Sequence, residues 1–456
     1  MNRPALDIFL KQRRFDLIFK YLYVKYPNNQ FIKHAYLENI RAFNNFYEVE
    51  PSDGLAKNSP EQFISSFDQL IQSIQVKGFN KSDGVIPIGD NGEISDGAHR
   101  LAVCAYLNKS VELEKDGRSD LYDYKFFLQR HMDPSIMDYG ALEYVKLNPY
   151  AYIVNLHSVI DPKEDSKVEK ILNTYGFIYY KKNINISFNG YVNLKKLSYG
   201  SFWEKEPWIG TPENKFAGAQ QHATQSIGNN PLRVFVFVCD HLDKVKQAKA
   251  EIRDLFNIGN YSIHINDSRQ EAIWLAQTYF NNNSLEMINR RPFTYEDPSF
   301  DELINQLKEV AAAHQIDIVN VCGAGSTPLN VVGIRKSQDL DFLYDGPKQF
   351  NIQTDTLSNH DGELKYYPYD KKTIIENPSY HFYYHGLKFI TLDVLYNMKK
   401  KRGEKPKDIK DCRAIKRLKK YNPNKEPFKF FKKIKSPGYR TIILFNFIKI
   451  TYKRGN

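Results

Sequence analysis

Cysteine is scarce in this sequence: Cys104, Cys239, Cys322 and Cys412 are the only four in 456 residues, far apart and never as a Cys-x-x-Cys pair. That spacing argues against a disulfide framework and a zinc finger, and it suits a reducing compartment. Long apolar runs are missing too, and no stretch approaches the roughly 18 to 20 residues of a membrane-spanning helix. The opening, MNRPALDIFLKQRRFDLIF, breaks each short apolar stretch with charge and holds no signal-peptide core. The expected location is therefore the cytoplasm. No fixed-period repeat occurs, and no low-complexity tract precedes the C-terminal tail. Acidic residues run out at that end: residues 398–456 carry 21 Lys/Arg against 4 Asp/Glu, and the rest of the chain 43 against 49. The formal charge of +11 thus belongs to the tail alone.

At about 100 to 200 residues per domain the length predicts two to four cores. The 31 Tyr and 30 Phe, with abundant Lys and Asn, are what an AT-rich bacterial genome encodes. The expected class is a multidomain α/β and α+β protein. Residues 1–49 read as a helical arm, because Leu6, Phe9, Leu10, Phe15, Leu17 and Ile18 fall near helical spacing within residues 5–25. Residues 50–149 read as a compact α+β unit. Its helix over 59–79 has Ser59 at the cap, Pro60 at the first position and Gly78 at the stop. VIPIGDNGEI follows as two short strands around a turn. Residues 150–290 form an α/β unit: AYIVNLHSVI, FIYYKKNINISF, RVFVFVC and YSIHIND as strands, VEKILNTYG, KVKQAKAEIRDLF and RQEAIWLAQTYF as helices. Residues 293–420 make a third unit and 421–456 a basic amphipathic tail.

The third unit carries the strongest chemical signal. In IDIVNVCGAGSTPLNVVGIRKSQDLDFLY a strand meets a bend at Gly325-Ser326, and a second strand carries Asp339 and Asp341 in alternation with Leu340 and Phe342. Strand periodicity of two puts both carboxylates on one face. Side by side they repel unless a cation sits between them, and Mg²⁺ with nucleotide phosphates prefers such hard oxygen ligands. The glycine and serine would let backbone N–H groups and a hydroxyl approach a phosphate.

These residues resemble the DNA polymerase β-type nucleotidyltransferase superfamily, whose signature joins Gly-Gly or Gly-Ser to an Asp-x-Asp strand. Here twelve residues separate Gly325-Ser326 from Asp339-Leu340-Asp341-Phe342. FITLDVLYNMKKKRGEKPKDIKDCRAI is similar to the Lys-rich helix of minimal and antitoxin-like members, with Lys407-Asp408 and Asp411 following. The resemblance implies nucleotidyl transfer from a nucleoside triphosphate, with Asp339 and Asp341 holding Mg²⁺ (or Mn²⁺); Arg335 and Lys336 could hold phosphate or stand in solvent. It also implies a third carboxylate. Asp393 and Glu363 are the candidates, and Asp393 completes the expected catalytic set.

In the second unit Asp96-Gly97-Ala98-His99-Arg100 opens a helix, where free N–H groups and two cationic or switchable side chains converge. This motif resembles the phosphate-binding turn of the ParB/sulfiredoxin fold. The resemblance implies that Asp96, Gly97, His99 and Arg100 handle nucleotide, in a kinase-like role with Glu93 or Asp96 as base and His99-Arg100 on phosphate. Ala98, where sulfiredoxins have cysteine, argues against sulfiredoxin activity. An alternative is that Asp96 only caps the helix. In the α/β unit, Trp203, Trp208 and Gly210 could line a cleft or cover the sheet, and His264 and Asp267 sit at a strand end. The tail, PFKFFKKIKSPGYRTIILFNFIKITYKRGN, interleaves cations with aliphatic side chains, as a segment lying on an anionic inner leaflet would. Nucleic acid is the less favoured target for that charge.

The expected function is Mg²⁺-dependent nucleotidyl transfer to a small acceptor in bacterial surface-polysaccharide assembly, with a kinase-like second domain. The alternatives are a glycosyltransferase, a toxin–antitoxin or defence enzyme that modifies a macromolecule, and a non-catalytic nucleotide-binding protein.

Overall fold

In the computed structural model the helix Pro60–Lys77 starts and stops where its caps predict: the Ser59 hydroxyl accepts from the Gln62 N–H, and Gly78, at φ 76°, ends it. It buries Phe63, Phe67 and Ile74. The structure describes residues 2–49, 56–79, 85–200, 207–403 and 406–420, with the backbone of three strands further on. The chain is mixed α/β, and its sheets are small.

The first sheet orders β1 (Asn2–Pro4), β5 (Ser110–Lys115) and β4 (Ile86–Ile88), with β5 between the other two. A short ladder, β2 (Glu48–Val49) with β3 (Ala56–Lys57), stands apart. The second strand expected in VIPIGDNGEI reduces to one bridge, Ile88 with Ile94. Glu93 and Ile94 instead meet the N-terminal segment, through Arg13 and Gln12. That segment holds two helices, Ala5–Phe9 and Leu17–Lys25. Arg14, between them, and Lys20, in the second, close on Asp16 at 2.9 and 2.7 Å, all three buried. An unpaired charge buried there would be costly.

The middle sheet contains β6 (Ala151–Leu156), β7 (Phe177–Ile184), β8 (Leu232–Val238) and β9 (Ile263–Ile265), in the order β7-β8-β6-β9 with every pair antiparallel. The helices Asp165–Tyr175 and Leu242–Phe256 follow β6 and β8 and pack on one face through Val168, Leu172, Val245 and Ile252. This connectivity is the split βαβ arrangement. β8 is buried along its whole length because both faces are covered, which is why it reads as a continuous apolar run.

The third sheet positions the candidate site. Its strands β10 (Val321–Gly323), β11 (Leu340–Tyr344), β12 (Leu357–Asn359), β13 (His381–Tyr384) and β14 (Leu387–Ile390) lie in the order β12-β11-β10-β14-β13. β10 runs antiparallel to β11 and parallel to β14, so the ends of β10 and β14 and the start of β11 share one edge. On one face Val321, Phe342 and Phe389 pack on Phe300 and Leu307. On the other, Cys322, Leu343 and Ile390 meet Leu395, Met398 and Ile415 of the helices Leu392–Arg402 and Pro406–Lys420.

Beyond residue 430, β15 (Phe431–Ser436), β16 (Tyr439–Leu444) and β17 (Ile448–Lys453) pair as an antiparallel meander. The side chains on which the expected membrane contact rests lie outside the described residues. Among the described residues no helix is long and apolar enough to cross a membrane.

Candidate active site

β10 ends in a bend, Ala324-Gly325-Ser326, that turns the chain into the helix Thr327–Val331. Gly325 takes φ 55°, the left-handed region that suits glycine. A β-carbon on Gly325 would overlap the carboxylate of Asp341, so no other residue fits without moving that acid. The Ala324 N–H donates to the Asp341 carbonyl at 2.7 Å, which ties bend and strand together. The bend and Asp341 thus meet as their order in the sequence anticipates.

Asp341 is half-buried, on the face shared with Leu343. Its Oδ1 accepts from the Ser358 hydroxyl at 2.8 Å, and Oδ2 lies 3.9 Å from His360 Nε2. His360 Nδ1 is in turn 2.9 Å from the Tyr367 hydroxyl, which accepts from the Gly325 N–H at 3.2 Å. Burial holds the His360 imidazole below its usual pKa and raises that of the Tyr367 hydroxyl. Asp339 lies one residue before β11, which begins where the Leu340 N–H reaches the Thr356 carbonyl. It is exposed, so the two acids do not share a continuous strand as their spacing anticipates.

Behind the bend is an ionic cluster. Lys399, fully buried, donates to Ser326 Oγ at 3.2 Å, to Asp408 at 3.1 Å and to Asp411 at 2.9 Å. Arg402 grips Asp408 at 2.8 and 2.9 Å and reaches Glu363 at 3.4 Å. Arg335, expected on phosphate, makes a bidentate pair with Asp411 at 3.0 and 3.1 Å. Burial would raise both carboxyls; Arg402 and Lys399 hold Asp408 low, and Arg335 and Lys399 do the same for Asp411.

The structure does not bring either candidate third acid onto a strand beside Asp341. Asp393 lies in the first turn of Leu392–Arg402, its side chain 68% exposed and paired with Lys419. Glu363 is on the turn Asp361–Tyr366, paired with Arg402. The neighbours facing Asp341 are Ser358 and His360, which sequence reasoning missed along with Tyr367 and Lys399. β12 pairs with β11 in parallel, Ser358 opposite Asp341, and only that register marks Ser358 and His360.

In the N-terminal unit Gly97, at φ 75°, caps the helix Ala98–Tyr106. His99 is partly buried, its Nε2 3.0 Å from the Tyr36 hydroxyl and its ring edge-on to Phe67. Burial and the Lys20 charge hold it well below the usual imidazole range. Asp96 is exposed, and the Arg100 guanidinium lies against Gly97. In the middle unit His264 is held by Glu271 at 2.7 Å and Tyr199 at 3.0 Å, and Asp267 by Lys249 at 3.3 Å. Trp208 is exposed and stacks on His222; Trp203 lies outside the described residues.

The donors seen at the bend are the Asp341 carboxylate and the Ser326 hydroxyl, hard oxygens of the kind a divalent cation takes. Among the described residues no group of three His, Cys, Asp or Glu side chains could hold a metal by itself. In comparisons with known proteins, no family model, curated protein or solved structure matches the chain.

Proposed function

We propose that the chain is a nucleotidyltransferase, passing a nucleotidyl group from a nucleoside triphosphate to a small hydroxylated or phosphorylated acceptor at the Gly325-Ser326 bend. The observation that carries this reading is the contact between Gly325 and Asp341 across β10 and β11. The bend lets the triphosphate approach the backbone, and Ser326, oriented by Lys399, offers a hydroxyl to it. Ser358 holds the Asp341 carboxylate by a hydrogen bond, and His360 stands beside it at 3.9 Å. In the transfer an acceptor oxygen forms a bond to the α-phosphorus as the bond to pyrophosphate breaks, in line. Asp339 and Asp341 are the residues that would hold Mg²⁺ (or Mn²⁺), which when bound offsets the triphosphate charge. The two acids alone leave most of a magnesium shell to water and phosphate oxygens, as is usual for this ion.

The acceptor we favour is a building block of bacterial surface polysaccharide, as the tail composition suggests. The proposal rests on the C-terminal unit, because the His99 Nε2 that would meet phosphate is occupied by Tyr36. Its test is thermal stabilisation by each triphosphate with Mg²⁺, together with pyrophosphate release in a pool of sugar phosphates. Both signals should vanish when Asp339→Asn and Asp341→Asn are combined. A protein that neither binds any triphosphate nor releases pyrophosphate would sink the reading.

A further inference from the structure

A cavity of about 620 Å³ lies where the middle and C-terminal units meet, away from the Gly325 bend. Its floor is the β13–β14 hairpin at His385-Gly386. That turn is at the opposite end of β14 from the edge where β10 stops. Its walls are the segment Ile209–Phe216 and the helices Arg269–Tyr279, Asn282–Arg290 and Pro298–Ala313. None of the candidate active-site residues lines it.

The lining alternates two kinds of surface. Trp274, Phe216, Tyr383 and Tyr384 supply flat apolar faces. Between them stand groups that pair with hydroxyls: the carboxylate of Asp301, the amides of Gln277 and Asn305, and the hydroxyl of Thr211. Two of these have capacity to spare. Gln277 is 6% exposed, and its Oε1 finds no donor among the described residues. A buried carboxamide oxygen without a donor is unfavourable, so it calls for a partner from within the cavity. Asp301 accepts from the Tyr384 hydroxyl through Oδ1 at 3.0 Å, with His385 3.8 Å away.

Charge narrows the ligand class. Lys196 is neutralised by Glu296 at 2.7 Å. The Arg291 guanidinium is spent on the carbonyls of Val331 and Tyr295. Burial brings His385 down to about 3, so its ring is uncharged near neutral pH. No free cation therefore stands among the described lining groups to favour a phosphate or carboxylate ligand, and Asp301 and Glu302 would repel one. Aromatic faces beside amides and carboxylates suit a molecule with both C–H faces and many hydroxyls, and the volume lies within the usual range for small-molecule sites.

We infer that this cavity is a binding site for a neutral, polyhydroxylated ligand of monosaccharide to disaccharide size, separate from the nucleotidyl-transfer site. The probes are glucose, N-acetylglucosamine and maltose, with adenosine as a control, followed by saturation-transfer NMR on the full chain. At least one sugar is expected to give a saturable signal. Its dissociation constant should rise about tenfold or more, the worth of one well-placed hydrogen bond, in Asp301→Asn and in Gln277→Leu. Gln277 is buried, so Asn305→Ala, at an exposed helix position, decides the matter should Gln277→Leu fail to fold. Absence of saturable binding by every sugar to a cooperatively unfolding protein would overturn the assignment. So would binding of adenosine alone, or sugar affinities unchanged in both Asp301→Asn and Asn305→Ala.

Discussion

Gly325 lies against Asp341 so closely that a β-carbon on the glycine would occupy the place of the carboxylate Oδ2. The glycine also holds φ 55°. A substitution there therefore meets two separate penalties, one in the backbone and one across the sheet. Gly325→Ala is expected to cost about 1 to 3 kcal/mol of stability, from the left-handed conformation and the displaced acid. Urea unfolding measures that loss. The same variant should lose its thermal shift with triphosphate and Mg²⁺ while still unfolding cooperatively. An alanine protein that matches the parent in both measurements would show that bend and carboxylate do not form one site.

Lys399 makes a different kind of prediction. It is fully buried and is shared by Asp408, Asp411 and Ser326. Lys399→Met leaves both acids to Arg402 and Arg335 alone, and breaking such a buried cluster costs roughly 3 to 5 kcal/mol. Lys419→Met removes the partner of exposed Asp393 and should cost less than about 1 kcal/mol. Denaturant midpoints of the two variants test the contrast, and equal losses would count against an ionic cluster that holds the bend.

Local features were legible in the sequence; pairings between distant segments were not. Ser59, Pro60 and Gly78 delimit their helix because capping depends on residues within one turn. The run LRVFVFV announces β8 because burial on both faces needs apolar residues at every position. The Gly325-Ser326 bend and Asp341 could be paired because β10 and β11 are consecutive strands and antiparallel neighbours in the sheet. By contrast, Ser358 and His360 reach Asp341 through a parallel register with β12 that no local pattern encodes. Residues 5–25 read as helical because apolar spacing is local, whereas the break between Phe9 and Leu17 and the buried pairing of Arg14 and Lys20 with Asp16 show only in the packed chain. Lys399 is one of four consecutive cations in the sequence, and only packing shows that this one is buried.

The basic tail is testable independently of the sheets. Cations interleaved with aliphatic residues gain about 1 kcal/mol each near an anionic leaflet, so the full chain should sediment with vesicles containing anionic lipid. Removing the residues after Phe428 should abolish this, and raising salt should weaken it. Unchanged sedimentation of the shortened protein would refute a membrane role.

Lys195 gives the protein a pH signature of its own. It lies on the helix Phe188–Gly200, 2% exposed, with its amine 2.9 Å from His157 Nε2. Burial alone brings its pKa down to about 7. Unfolded, the same amine titrates near 10.4. Between those values the unfolded chain binds a proton that the folded chain does not, so the unfolding free energy rises with pH through this window. Below about pH 7 the amine is charged in both states, and the folded protein bears the full cost of burying that charge. Lys195→Met removes the titration: the rise from pH 7 to 10 should flatten by an amount on the order of a few kcal/mol. The gain over the parent should be largest near pH 6, reduced by the cost of leaving His157 Nε2 unpaired. Melting temperatures of both proteins at pH 6, 7, 8 and 9 decide it. Parallel curves would mean that the Lys195 amine stays charged when folded, stabilised by something other than the imidazole beside it.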